Sequence, residues 1–390
     1  MTERVGDLER RYVDEVLTGA FRSSAGSVMT QRLEQAFAEL IGTRFAVAFI
    51  NGTATMHAVL AAAGIGPGDE VVVPPLTMAS TTFAVMQAGA VPVFADIDAG
   101  TFTLDPAAVE AVVTERTRAM IPVALYGLAP DLDGLAAAGR RHGLLLLEDD
   151  AQCLVGRYRG RTVGSIGDAA SFSFQSSKHL TSGEGGMVTT DDEALAESTR
   201  RFGSLGYRAV AAARARITKD DIQAPDYLRH DSIGFNYRMP ELCAAVALAQ
   251  VQRAAELVAA RQAAGAALVG AARGCEWLVA QSVPADRTHT YWTAALALHP
   301  DAEVTWTQFR KTFLDLGGEP FYGAWALSYL EPVLRGRRLA DHQRQVFDTG
   351  LCPLAESLQP RLIQFKTNVD ADGAAAQADI LARTIDRLSG

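Results

Sequence analysis

One lysine lies where a parallel sheet would place a reactive group. The segment Asp168–Phe174 has the small and aromatic residues typical of a strand, and Lys178 follows it, just before the glycine-rich turn Gly183–Gly186. In an open α/β sheet, ligands bind at the carboxyl ends of the strands. A lysine there either stays exposed and protonated or, once desolvated, serves as an amine nucleophile. Lys178 alone leaves both interpretations open.

A carboxylate is predicted in the same crevice. The continuous apolar run Leu144–Leu147 favours a strand buried on both faces, and it leads directly into Glu148, Asp149 and Asp150. A lysine that forms a Schiff base and a carboxylate that pairs with a pyridinium nitrogen are what a pyridoxal 5'-phosphate (PLP) enzyme requires. The two side chains together therefore favour PLP chemistry.

Four segments, in a fixed order, carry a resemblance to a known family. They are Glu148-Asp149-x-Ala151-Gln152, Ser173-Phe174-x-x-x-Lys178, Gly183-Glu184-Gly185-Gly186 and Gly234-Phe235-Asn236-Tyr237-Arg238-Met239. The chain thereby resembles the DegT/DnrJ/EryC1/StrS aminotransferases from about Asn51 to Gln250, and more weakly to its C-terminus. These are fold-type I PLP enzymes that aminate keto sugars and keto cyclitols. Motifs in a shared order are more specific than any one of them.

The resemblance implies catalytic roles for the central residues. Lys178 is expected to bind PLP as a Schiff base and, once freed, to move a proton between substrate and cofactor. Asp149 is expected to pair with the pyridinium nitrogen. Gln152 would pack against the ring or reach its phenolic oxygen, or else cap a loop. A subgroup with histidine in place of the lysine catalyses dehydration; His179 only follows Lys178 here, so transamination is favoured.

An anion site is predicted at the end of the apolar strand Phe45–Ile50. A glycine turn follows, and then a helix begins at Thr53, whose free N–H groups and dipole attract negative charge. The same pattern also suits an ordinary helix cap. By resemblance, Thr53 and Ala54 hold the PLP phosphate and Ser173 contacts it, although Ser173 alone could equally be a buried structural serine.

Three further site residues rest on the resemblance. Asn236 matches a residue that reaches the phosphate from a neighbouring subunit, which implies a homodimer with shared sites. Arg238 would bind an acidic group of the amino donor or substrate, or form a structural salt bridge. Met78 stands where relatives carry an aromatic that stacks on the pyridine ring. A thioether can also pack on an aromatic face, so PLP binding remains compatible with Met78.

The order of elements predicts the fold. Strands and helices alternate from Phe45 to Thr190, which is typical of a mostly parallel sheet with helices on both faces. With the resemblance, this predicts an α/β PLP-transferase of fold type I. We expect a large PLP-binding domain over residues 1–250 and a smaller C-terminal α+β domain over residues 251–390. A long helix, Ala244–Ala272, would join them. Candidate elements of the smaller domain are a strand at Thr293–Leu298 and helices at Trp306–Leu316, Ala340–Phe347 and Ala375–Leu388.

Composition narrows the partners. The 390 residues carry a net charge of −9 and no basic block, which argues against nucleic acid. No segment is apolar and long enough to span a membrane, and no signal peptide is recognisable. The four cysteines form no CxxC pair, which indicates reduced thiols, a cytoplasmic location and no metal site.

Several functions remain to be weighed. An aminotransferase using glutamate or glutamine could act on a keto sugar, most favourably one linked to a nucleotide, or on a keto cyclitol of the scyllo-inosose type. A sugar dehydratase ranks lower. A nicotinamide dehydrogenase would need Gly-x-Gly-x-x-Gly after Ile50, where the chain has Asn-Gly-Thr-Ala-Thr-Met. A PLP-binding regulator would need a basic DNA-binding extension. Two C-terminal segments, 321–325 and 364–368, are expected to shape the pocket.

Overall fold

A seven-stranded sheet forms the centre of the protein in a computed structural model that describes residues 4–19, 27–208 and 223–390. Its strands are β1 (Phe45–Phe49), β2 (Glu70–Val73), β3 (Val91–Phe94), β4 (Thr117–Met120), β5 (Leu145–Asp149), β8 (Ala169–Ser173) and β9 (Gly186–Thr190); between them, β6 (Arg157–Tyr158) and β7 (Arg161–Thr162) form a separate hairpin. The spatial order is β1-β9-β8-β5-β4-β2-β3. Only β9 runs antiparallel to its neighbours. The predicted mostly parallel sheet is confirmed.

Helices connect and cover these strands. Those of the first half are α1 (Asp7–Thr18), α2 (Val28–Ile41), α3 (Gly52–Ala62), α4 (Ser80–Gln87), α5 (Pro106–Val112), α6 (Leu132–His142) and α7 (Glu193–Phe202). Those of the second half are α8 (Glu241–Gln252), α9 (Ala254–Ala271), α10 (Trp306–Asp315), α11 (Pro353–Leu358) and α12 (Ala371–Ser389). The α/β fold class of the sequence prediction is therefore confirmed.

Strand β2 shows why the sheet is covered on both faces. Side chains alternate along a strand, so Val71 and Val73 point to one face and Val72 to the other. Val71 and Val73 belong to the core cluster that includes Val59 of α3. Val72 belongs to the cluster that includes Val109 of α5. An all-valine run is stable here because both faces of the strand exclude water.

The C-terminal region forms a second, antiparallel sheet. It consists of β10 (Leu278–Ala280), β11 (Thr293–Leu298) and β12 (Leu362–Lys366), in that order. Its core cluster combines Leu296 of β11 with Leu268 of α9, Phe309 of α10 and Leu381 of α12. The predicted strand at Thr293–Leu298 matches β11 in full. The predicted domain boundary at residue 250 stays a prediction.

Two helix predictions in this region are wrong. The single helix Ala244–Ala272 is instead the pair α8 and α9, which break at Arg253 and bend by 67°. The segment Ala340–Phe347 is irregular. There the Gln345 side chain accepts a hydrogen bond from the N–H of Phe94 and donates one to its carbonyl, both 2.7 Å long. Phe94 lies on edge strand β3. The segment therefore provides hydrogen-bond partners for the edge of the sheet and does not form a helix.

Two predicted loops lie partly outside the described residues. The loops predicted at 19–29 and 220–233 include residues 20–26 and 220–222, which lie outside the described part of the chain. Within that part, no single helix is long and apolar enough to cross a membrane, and only the bent pair α8–α9 passes that test by length and composition. Residues 4–19, 27–208 and 223–390 also contain no cluster of three metal-ligating side chains. A cytoplasmic location stays a prediction.

Candidate active site

A cavity of about 390 Å³ opens at the carboxyl edge of the central sheet. Asp149 ends β5 and Ser173 ends β8, and the turn that begins α3 follows β1, so parallel strands bring distant segments to one edge. Six of the nine predicted site residues line this cavity: Thr53, Met78, Asp149, Gln152, Ser173 and Lys178. The other three, Ala54, Asn236 and Arg238, do not line it.

Lys178 reaches the cavity from a short turn. Its N–H donates to the Gln175 carbonyl at 2.9 Å, and its Nζ lies 4.5 Å from the ring centre of Trp292. Burial lowers the pKa of the Lys178 amine to about 8; nearby Asp149 opposes this shift and nearby Arg261 adds to it. Lys178 therefore has a much larger share of free amine at neutral pH than an exposed lysine, as a nucleophile or base requires.

Asp149 offers the cavity a buried carboxylate. The residue is only 3% exposed. Its Oδ2 accepts a hydrogen bond from the Thr81 hydroxyl at 2.8 Å, and its Oδ1 accepts one from the N–H of Ala151 at 3.2 Å. Burial raises the pKa of Asp149, and these hydrogen bonds and the Lys178 charge act against the rise. A cationic ring nitrogen would stabilise the ionised form, so the site fits PLP.

The two neighbouring acids face other surroundings. Glu148 accepts hydrogen bonds from the N–H groups of Gly164, Ile166 and Gly167, at 3.0, 2.9 and 2.6 Å. Asp150 has a buried Oδ2 with no hydrogen-bond partner among the described residues. Burial and the charges of Glu148 and Asp149 raise the pKa of Asp150 well above its usual value. Neither residue lines the cavity, which favours a structural role for both.

The start of α3 borders the cavity as an anion site. Asn51 caps the helix, because its Oδ1 accepts a hydrogen bond from the N–H of Ala54 at 2.8 Å. The helix geometry leaves the N–H groups of Gly52 and Thr53 without intrahelical acceptors. A Cβ on Gly52 would lie 3.0 Å from Ser173 Cβ, so glycine permits the close approach of Ser173. The arrangement suits a phosphate group.

Of the two residues predicted to hold the phosphate, Thr53 is better placed than Ala54. Thr53 lies in the first turn of α3 and lines the cavity, beside Ser173. The N–H of Ala54 is already engaged by Asn51, so its contact with a phosphate would require that hydrogen bond to break. The Ser173 hydroxyl accepts only a long hydrogen bond, 3.4 Å, from the N–H of Gln175. Thr53 and Ser173 are therefore the better placed phosphate ligands.

Gln152 and Met78 both line the cavity, but they differ in burial. Gln152 is buried, and its Oε1 accepts a hydrogen bond from the N–H of Tyr126 at 2.8 Å. Tyr126 has a φ of 62°, a left-handed backbone that this hydrogen bond helps to hold. Met78 is 49% exposed, so it contributes to the rim.

Asn236 and Arg238 lie outside the cavity of their own chain. Asn236 is exposed, and its backbone forms an isolated antiparallel bridge with Ser204. Arg238 pairs by backbone with Phe49, and its Nη1 is buried without a hydrogen-bond partner within the described ranges. The single chain therefore provides neither residue to its own site.

Sequence reasoning identified only one side of an aromatic wall, because Trp325 lies in the segment 321–325 expected to shape the pocket whereas Trp292 was missed. Trp292 and Trp325 stack with ring centres 5.8 Å apart and an angle of 25° between their planes, and both line the cavity. Beyond them lies a second cavity of about 400 Å³. Its other lining residues include Tyr322, Gly323, Gln364, Lys366 and Asn368. These belong to the two C-terminal segments that were expected to shape the pocket, whereas Trp292, next to the predicted strand Thr293–Leu298, carries no recognisable sequence signal.

The chain is similar in sequence to several known proteins. The model of the DegT/DnrJ/EryC1/StrS aminotransferase family matches residues 4–361. GDP-perosamine synthase of Caulobacter vibrioides is 42% identical over 260 residues, 66% of this chain and 66% of that protein. Spore coat polysaccharide biosynthesis protein SpsC of Bacillus subtilis is 41% identical, over 64% of this chain and 62% of its own length. The chain thus matches just under two thirds of these curated relatives.

A solved structure extends the similarity to the whole fold. The aminotransferase from Psychrobacter cryohalolentis superimposes with a TM-score of 0.88 at 30% identity, covering 99% of this chain and 98% of that one. 3-Amino-5-hydroxybenzoic acid synthase superimposes with a TM-score of 0.85 at 28% identity, covering 98% and 97%. Both chains share the arrangement of the central sheet and the C-terminal region.

Proposed function

The chain belongs to the DegT/DnrJ/EryC1/StrS aminotransferase family, and from this we propose that it transfers an amino group from glutamate or glutamine to a keto sugar, with PLP as cofactor. One observation carries the proposal: a desolvated lysine, a buried carboxylate and a helix N-terminus line the same cavity. The similarity to GDP-perosamine synthase, a protein named for an amino-sugar product, favours a sugar as the acceptor.

The residues of the cavity fit PLP in three places. Lys178 would hold it covalently, Asp149 would pair with its pyridinium nitrogen, and the first turn of α3 with Ser173 would bind its phosphate. When bound, PLP supplies an electron sink that allows an amino group to pass from donor to acceptor. The chain's own contribution is to bind and orient the reactants and to move protons.

Lys178 is the proton carrier in this proposal. An amine with a pKa of about 8 accepts a proton and returns it with little cost near neutral pH. Trp292, whose ring covers Nζ at 4.5 Å, limits the access of water to that amine. Asp149 is fixed by the Thr81 hydroxyl and cannot swing away from the cavity without losing that hydrogen bond. Burial thus sets the proton affinity of Lys178, and the hydrogen bond from Thr81 sets the position of Asp149.

An absorbance spectrum tests the proposed function. We expect the purified protein with PLP to show a visible band, because Lys178 would link covalently to the cofactor. Glutamate or glutamine, added without ketone, should bleach this band and produce the near-ultraviolet band of the aminated cofactor. Whichever amino acid bleaches it is the donor. A visible band that no donor bleaches would contradict transamination and favour dehydration, and the lack of any band would contradict PLP as the cofactor.

The second cavity favours an acceptor linked to a nucleotide. It lies beyond Trp292 and Trp325, and Lys366 on its wall offers a positive charge. The Lys366 amine lies 5.6 Å from the ring centre of Tyr322, and both side chains are exposed. A substrate with its ketone near Lys178 could extend past the tryptophans so that its phosphates face this charge. A keto cyclitol has no group for that position.

Lys366 therefore provides a test of the acceptor. We expect Lys366→Ala to raise KM for a nucleotide-linked keto sugar by about 3- to 10-fold, while the reaction with the amino donor alone stays unchanged. Lys311→Ala is the matched control, because it removes another exposed lysine, which pairs with Asp315 one helical turn away and lines neither cavity. The effect should shrink at high salt. An unchanged KM, or efficient amination of scyllo-inosose by both variants, would favour the cyclitol alternative.

We further propose that two chains form each pair of active sites. Asn236 is exposed and does not line its own cavity, and neighbouring Phe235 is 44% exposed. Met78 and Ile50 are exposed as well, and exposed apolar side chains of this size are the type of surface that a partner covers. Light scattering should give about twice the mass of one 41.6 kDa chain. A mass of one chain at working concentration would contradict the shared site.

A further inference from the structure

We propose that Arg261 is a positioning residue for Lys178: it fixes the backbone of the lysine turn, and its charge, which no carboxylate of the described residues pairs with, acts on the amine. The inference deepens the proposed function, since it concerns the residue that would hold PLP. Arg261 lies in the middle of α9, outside every motif that identified the site.

The contacts of Arg261 converge on the lysine turn. Its Nη2 donates to the carbonyls of Ser177 and Lys178, at 2.8 and 2.9 Å. Its Nη1 donates to the Trp292 carbonyl at 3.0 Å and to the Thr367 hydroxyl at 3.3 Å. One guanidinium thereby ties the turn that carries Lys178 to the C-terminal sheet. The planar, rigid fork of arginine suits such a junction better than a lysine amine does.

Arg261 is buried without a counter-ion. It is 5% exposed, and within the described part of the chain no carboxylate pairs with it; its hydrogen bonds to carbonyls and a hydroxyl leave the charge unneutralised. Burial, together with the nearby Arg4 charge, lowers the pKa of Arg261 to about 9. A buried unpaired cation is costly, and the four hydrogen bonds that Arg261 donates offset part of that cost. Because no carboxylate of the described residues neutralises the charge, it can act on the titratable groups nearby.

The charge acts on the Lys178 amine. The titratable groups around Lys178 are Asp149 at the end of β5, Arg261 on α9, Arg4 from the N-terminal segment, Glu184 across the cavity and the buried, adjacent His179. Burial is the main cause that lowers the pKa of Lys178, the Asp149 charge opposes it, and the Arg261 charge adds to the lowering. Arg261 therefore offsets part of the effect of the carboxylate that PLP binding needs, and it increases the share of free amine near neutral pH.

Chemical labelling of the lysine tests this role. The full-length chain freed of PLP is treated with acetic anhydride across pH 6–11, and the acetylation of Lys178 and of the exposed Lys311 is followed by peptide mass spectrometry. We expect Lys178 of the unmodified chain to titrate near pH 8. In Arg261→Gln and Arg261→Met its midpoint should rise by about one pH unit, which means about ten-fold less free amine below pH 8. Arg261→Lys, which keeps the charge, should stay near the unmodified value.

Arg4→Gln is the matched control. Arg4 donates to the same Lys178 carbonyl at 2.7 Å, so this variant removes a hydrogen bond to the turn but leaves Arg261 in place. Its labelling midpoint should stay within a few tenths of the unmodified value. An unchanged midpoint in both neutral variants would overturn the proposal, as would an Arg261→Lys midpoint that rises as far as theirs. If the shift occurs but the protein shows no transamination, the positioning role stands and the proposed function fails.

Discussion

Replacing Lys178 with alanine is expected to abolish amination, with kcat/KM lower by about 10³-fold or more. The variant loses both the nucleophile that would hold PLP and the base that would move the proton, and a base alone contributes about 10²–10⁴-fold. The measurement is the rate at which the aminated product forms from the keto acceptor and the donor, together with the spectrum of the resting protein. The band of lysine-bound cofactor should be absent from the start.

Two controls separate chemistry from damage to the fold. Lys311→Ala removes an exposed lysine on α10 and should retain the rate and the spectrum of the unmodified protein. The alanine variant at Lys178 leaves room beside Trp292, so a small added amine such as methylamine should restore part of the rate. A Lys178→Ala protein with full amination activity would refute the assignment of this lysine, whatever the family.

The sequence predicted the residues that lie where strands end. Lys178 and Asp149 follow apolar runs, and the carboxyl ends of parallel strands share one edge, so local pattern and chain order were sufficient to bring them together. The glycine turn before α3 was equally visible, because a helix N-terminus after a strand has a local signature. The fold-type I resemblance added roles to these positions.

The contacts that tune the site have no such signature. Arg261 lies 83 positions from Lys178, and Thr81 lies 68 positions from Asp149. Pairings of this kind depend on how helices and sheets dock. The break at Arg253 has a similar origin: it contains no proline or glycine, but the Arg253 side chain binds buried Glu9 at 2.9 Å, 244 positions away. Helical periodicity alone could not reveal either the bend or this contact with a distant acid.

Met78 shows how a departure from the family pattern can leave a site intact. The sequence places a thioether where relatives have a ring, and the side chain is half exposed at the rim. The aromatic surface of this cavity comes instead from Trp292 and Trp325, in the C-terminal half of the chain. The Trp292 ring faces the Lys178 amine, and Trp325 stacks on Trp292, so this wall would limit which acceptors can approach the amine. We therefore expect residues outside the motifs that identify the family to contribute to the acceptor preference.

Replacing Asp149 with asparagine is expected to lower the rate of the donor reaction by about 10²–10³-fold. Asparagine has nearly the same shape and can still accept the hydrogen bond from Thr81, so the fold should be preserved. It carries no negative charge, however, and so cannot stabilise a protonated pyridine nitrogen. Stopped-flow absorbance with glutamate or glutamine measures the rate. A rate within three-fold of the unmodified protein would contradict the assignment.

The adjacent Asp150 provides the matched control, with an opposite expectation. Asp150→Asn should retain the donor rate within about two-fold, because Asp150 does not line the cavity. Burial raises the pKa of folded Asp150 above its unfolded value, so the native state loses stability as pH rises through the range between those two values. Asparagine removes that titration. The melting temperature of Asp150→Asn relative to the unmodified protein should therefore be higher at pH 8 than at pH 5, by about 2 °C or more. If Asp149→Asn and Asp150→Asn instead lower the donor rate to the same extent, lining the cavity would not distinguish the two carboxylates. The assignment of Asp149 would then fail.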